Sequence, residues 1–172
     1  MFLLRYTYIY TVFFLAVLFG SCGNSNSKSK CEAGDPVAIF SDKYEQIVNH
    51  SFKITGTESL EEIEFENGIK LELAQSGCES LKQEFRFIIP GYQNATEESL
   101  WSDFAINLFN YMGGIDIAFA DFSFWSQAIK QAQPNLNVGV PFELGPGRWI
   151  KIDKISSSDH AVLIVTLSQQ ES

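Results

Sequence analysis

The stretch from Glu61 to Leu73 constrains this chain more than any other. In Glu61-Glu-Ile-Glu-Phe-Glu66 the apolar residues alternate, with Ile63 and Phe65 on one face and Glu62, Glu64 and Glu66 on the other. In Ile69-Lys-Leu-Glu-Leu73 the apolar face is Ile69, Leu71 and Leu73. Asn67-Gly68 between them invites a two-residue hairpin turn, but that turn pairs Glu66 with Ile69. Phe65 then falls beside Lys70 and Ile63 beside Glu72, and the two faces mix. A three-residue loop, Glu66-Asn67-Gly68, pairs Phe65 with Ile69 and Ile63 with Leu71, with Gly68 in the left-handed position of a bulge. The sequence therefore predicts a bulged hairpin.

The flanking segments extend it. Ser76-Gly77 reads as a turn. Leu81 to Ile89 alternate with Leu81, Phe85, Phe87 and Ile89 inward, and Pro90-Gly91 ends that strand. The period then becomes helical. Thr96-Glu-Glu-Ser opens a helix, acids first, with Leu100, Phe104, Leu108 and Tyr111 as its stripe and Trp101, Ala105 and Met112 widening it. Gly113-Gly114 interrupt it, and a second stripe runs Ala118, Phe122, Trp125, Ile129 and Ala132. Pro134 to Gly147 reads as a fixed loop. Trp149 to Ile155 alternate, and Ala161 to Leu167 form the nearly continuous apolar run of a central strand. The expected fold is α+β: a three-stranded antiparallel meander, two helices packed on one face, and a C-terminal hairpin beside the meander.

The first 22 residues read differently. Met1 to Ser21 hold one basic residue, Arg5, and no acid; an apolar run, Tyr6 to Phe19, ends in Gly20 and Ser21 before Cys22. This resembles a bacterial lipoprotein signal, although Phe19 stands where that pattern has a branched aliphatic residue. The resemblance implies cleavage before Cys22 and lipid on its thiol. It also implies a location in the bacterial cell envelope, on the outer membrane facing the periplasm. Cleavage after Gly23, releasing a soluble protein, and an uncleaved anchor are the alternatives. The apolar stretch is shorter than the roughly 20 residues that cross a bilayer. Residues 1–21 are thus read as signal, 22–40 as lipidated cysteine and flexible tether, and 41–172 as a single α+β domain.

With 21 acidic and 12 basic residues, the chain lacks the electrostatic footprint of a nucleic-acid binder. Anionic headgroups would repel it, so lipid rather than charge is expected to hold it at a membrane. The two remaining cysteines, Cys31 and Cys78, are disulfide candidates in an oxidising compartment. With His50 and His160 the only histidines and no paired-cysteine spacing, no metal site is expected, and no cofactor.

Asp159-His160, near Ser156, Ser157 and Ser158, is the one acid–histidine pair. Neighbours on a strand point to opposite faces, which argues against a catalytic triad. Glu62, Glu64 and Glu66, with Glu72, suggest an acidic strand face that suits a basic partner protein, although solvation alone also accounts for it. Asp116 and Asp121 flank the second helix, and Phe119, Phe122, Phe124 and Trp125 exceed what one helical face buries. Pro141 to Trp149 is a rigid loop whose Phe142, Arg148 and Trp149 are candidate binding residues. The expected function is binding of a protein or an envelope polymer, without catalysis. A small envelope hydrolase using His160 is the alternative.

Overall fold

Among the described residues seven strands pair antiparallel in one sheet. In chain order they are β1 (Ile47–Thr55), β2 (Glu58–Phe65), β3 (Lys70–Ser76), β4 (Lys82–Pro90), β5 (Phe142–Gly145), β6 (Arg148–Ser156) and β7 (His160–Ser168). Two helices, α1 (Glu98–Gly113) and α2 (Phe122–Ala132), lie between β4 and β5 in sequence. The computed structural model describes residues 35–170, apart from 78, 79, 93, 116 and 118–120. Cys22, Cys31 and Cys78 lie outside the described residues, as do Asp116, Phe119 and the signal segment.

The sheet order is β1-β2-β3-β4-β7-β6-β5. The expected three-stranded meander is therefore four-stranded, and the terminal hairpin is joined by β5 at the far edge. β7 is interior, flanked by β4 and β6, and that position accounts for its apolar run. At the β2–β3 turn Ile63 lies opposite Leu71, the Phe65 amide donates to the Ile69 carbonyl at 2.9 Å, and Gly68 has φ 80°. A side chain at Gly68 would be strained by that φ alone.

One face of the sheet carries Phe65, Leu73, Phe85, Phe87, Leu163 and Val165, all essentially without exposure, and the helices cover it. Phe109 of α1 meets Phe85 at 5.0 Å and Phe122 of α2 at 5.9 Å, edge to face. The buried stripe of α1 runs Trp101, Ala105, Leu108, Phe109 and Met112, so its centre is turned from the expected Leu100–Phe104–Tyr111 line. The helix starts at Glu98 without a side-chain cap. α2 starts at Phe122, where the Asp121 carboxylate accepts from the Phe124 amide at 2.8 Å and caps it; Ala118, the first residue of the expected stripe, lies outside the described residues. Gly113 lets the helices touch: a Cβ there would overlap the Ser123 hydroxyl and sit 3.0 Å from the Ser123 nitrogen. Ser126 ties them further, donating to the Ile106 carbonyl at 2.9 Å.

The packed chain also reaches back past residue 41. Ile39 and Phe40, placed within the tether on sequence, are 6 % and 3 % exposed. Phe40 stacks on Phe122 at 5.6 Å and meets Phe65 edge-on at 5.9 Å.

Candidate functional site

α2 lies over the β5 end of the sheet and leaves a trough against it. Phe124, Gln127, Ala128, Gln131 and Asn135 recur at helical spacing along one wall, while Phe142, Glu143 and Leu144 of β5 form the other. The space is about 410 Å³ and continues into a second of about 210 Å³ lined by Trp125, Pro146 and Arg148. Phe124 is 45 % exposed. The Arg148 guanidinium sits 5.9 Å from the centre of its ring, a cation–π distance. Among the described residues no carboxylate reaches Arg148 within ion-pair distance. Among the described residues β5 has a strand on one side only, so its outer backbone groups are unpaired by the sheet.

Of the three residues expected in this loop, the structure brings two together. Phe142 and Arg148 face the helix side, as does Ile150, which is opposite Phe142. Trp149 falls on the other face, opposite Ser168 and Glu143. The segment between Pro141 and Trp149 is a strand hairpin rather than a fixed loop, and strand parity separates Trp149 from its neighbours.

The acidic strip divides similarly. Glu62 and Glu64 do share the open face of the sheet, but cations and amides interleave them. Glu62 accepts from Ser51 at 2.9 Å and lies 4.0 Å from Lys53. Glu64 accepts from Asn49 at 2.9 Å and lies 3.6 Å from Lys70. Arg86, opposite Glu72, binds Glu84. Glu66 leaves the strip, because β2 ends at Phe65 and Glu66 belongs to the turn. Its charge acts instead on Tyr111. Burial first, and Glu66 second, hold the Tyr111 phenol above its ordinary pKa. Among the described residues that buried hydroxyl has no hydrogen-bond partner.

Ser157, Asp159 and His160 do converge, contrary to the parity argument. β7 begins at His160, so Asp159 sits in the preceding bend, free of strand alternation. The Asp159 carboxylate lies 2.7 Å from His160 Nδ1, and Ser157 Oγ lies 3.0 Å from the same nitrogen. A triad needs the acid and the nucleophile on different ring nitrogens. Here both occupy Nδ1, and Ser157 also bonds the His160 carbonyl at 2.8 Å, closing the turn. The hydrogen bonds from His160, then Ser157, hold the Asp159 carboxyl below its ordinary pKa.

Sequence reasoning missed one polar centre altogether. Glu61 is fully buried, on the same side as Ile63 and Phe65. Its carboxylate accepts from the amides of Ile39 at 2.9 Å and Phe40 at 2.8 Å, and His50 Nε2 lies 2.7 Å from Oε1. Gln75 adds a bond to the Val37 carbonyl at 2.8 Å. These groups clasp residues 37–40 to the sheet. The signal was available in strand parity, since Glu61 alternates with the inward residues rather than with Glu62.

Comparison of the chain with protein-family models, curated proteins and solved structures finds no match.

Proposed function

We propose that this chain is an envelope lipoprotein, anchored through lipid on Cys22 to an outer membrane and facing the periplasm. Its domain binds a protein or envelope polymer in the α2–β5 trough and performs no catalysis. The observation that carries the reading is the trough itself: among the described residues, an exposed Phe124, a cation without an ion-pair partner and an unpaired sheet edge in one place. Exposed aromatic and arginine side chains are typical anchors of binding surfaces. The shared nitrogen in the Ser157–His160 turn favours binding over the hydrolase alternative. Among the described residues no helix is long and apolar enough to cross a membrane; the proposed anchor is the lipid on Cys22. A Cys31–Cys78 disulfide at the base of the tether belongs to the same proposal.

Two measurements test it. Intact mass of membrane-extracted protein should show a chain beginning at Cys22 and carrying lipid, with both lost in Cys22→Ala; a lipid-free chain beginning at Asn24 would end the anchoring claim. A photo-reactive residue replacing Gln131 should give an adduct of discrete mass in intact cells, absent when Lys70 carries the label. Equal labelling from both positions would remove the trough as the site.

A further inference from the structure

We infer that the trough takes an extended peptide, which adds to β5 as an eighth strand and places a carboxylate on Arg148. This rests on the preceding reading that the trough is the binding site, and it names the class of partner.

β5 is where the sheet stops. An incoming extended chain can pair its backbone with that edge, the mode by which sheet edges capture peptides. Pro141 precedes β5 and Pro146 follows its four residues, so the edge accepts a short segment but not a long strand. That restriction separates peptide capture from edge-to-edge aggregation. Side chains of an added strand would alternate, and every second one would enter the space beneath α2. Its lining there is apolar where β5 contributes Phe142 and Leu144. On the helix side Ala128 offers only a methyl group, leaving the room that makes this a trough. Gln127 and Gln131 flank Ala128, so a strand alternating aliphatic with hydroxyl side chains fits that lining.

Arg148 supplies the second determinant. It opens β6 beside the last residue of β5, Gly145 lying opposite it. It is exposed, and its five N–H donors have no carboxylate partner among the described residues. The planar fork matches a carboxylate in two parallel bonds. On a chain of net charge −9, an exposed cation of this kind favours an anionic segment. Glu143, the one acid of the trough, has its carboxylate bonded to the Gly147 amide at 3.2 Å. A glycan would stack on Phe124 and could bond single groups of the strand edge but not its repeating ladder, so a peptide uses more of what the site offers.

The test uses the full-length chain in detergent micelles and fluorescein-labelled Thr-Val-Thr-Val-Thr-Val with a free C-terminus, read by anisotropy. Two control probes are the same peptide amidated at its C-terminus and the same peptide N-methylated at alternate residues. The free-acid probe should bind at least about tenfold more tightly than either control. Arg148→Gln should bring the free-acid probe down to the amidated one and leave the amidated probe unchanged. Hydrogen exchange should show the bound free-acid probe protecting amides of residues 142–145. Equal binding of the N-methylated probe, protection at β1 instead of β5, or no binding up to millimolar probe would each overturn strand addition. If the Gln131 label still gives its discrete adduct while the probes fail, the trough remains a binding site and the peptide assignment alone falls.

Discussion

Replacing Glu61 by Gln should destabilise the fold far more than the same change one residue later. The carboxylate accepts two backbone amides, from Ile39 and Phe40, and contacts His50. A glutamine amide has one oxygen, so it serves one of the two N–H groups and points its own N–H₂ at the other. Leaving a buried donor unsatisfied costs about 1–3 kcal/mol. The altered contact with His50 adds to that, for a total of about 2–4 kcal/mol, a large share of the 5–15 kcal/mol typical of a domain. In urea, with a slope near 2 kcal/mol per molar, the midpoint should fall by about 1–2 M. Glu62→Gln, on an exposed face, should move the free energy by no more than about 0.5 kcal/mol. Amides of Ile39 and Phe40 should also lose exchange protection before those of Leu73 and Phe87, because the clasp holds the strap directly. Equal midpoints for the two variants would refute the claim that Glu61 anchors residues 37–40.

Further outcomes follow from the same geometry. Phe109→Ala removes the ring between Phe85, Phe87 and Phe122 and should cost about 3–5 kcal/mol by denaturant titration. The raised Tyr111 pKa has a definite sign. Its stabilising contribution is full below the unfolded phenol value near 10 and is lost as pH rises through the higher folded value. Tyr111→Phe should therefore flatten the alkaline decline measured by thermal melts. Asp159 has the opposite sign, its effect present above the unfolded carboxyl value and lost as pH falls through the depressed folded one. His160→Ala should raise the Asp159 titration toward its ordinary value in a carbon-detected NMR titration.

What the sequence disclosed depended on how cleanly each period ran. β3 and the Phe85–Ile89 part of β4 alternate, and β2 does so from Ile63 onward, after the inward polar residues Ser59 and Glu61. β1 does not, because a bulge between Ile47 and Asn49 shifts parity, leaving Ile47, His50, Phe52 and Ile54 on the inward side. After the bulge the inward set is His50, Phe52 and Ile54, too short and too interrupted by His50 to register as apolar alternation. β5 has four residues between two prolines, too short for any period to register. In α1 apolar residues surround the axis, and the choice of the Trp101–Phe109 side is made by Phe85 and Phe87 across the sheet, a tertiary contact. The trough was half legible: Phe142, Arg148 and the surplus aromatic Phe124 were visible as residues, but their convergence depends on where α2 crosses β5. Glu61 was legible from parity and was overlooked among its acidic neighbours.

The measurement that bears most directly on the account is photo-cross-linking in intact cells from position 131, repeated in Arg148→Gln and His160→Ala backgrounds. Binding in the trough predicts one adduct of discrete mass, weakened about tenfold or more without Arg148 and unchanged without His160. An adduct indifferent to Arg148, or one lost with His160, would contradict it.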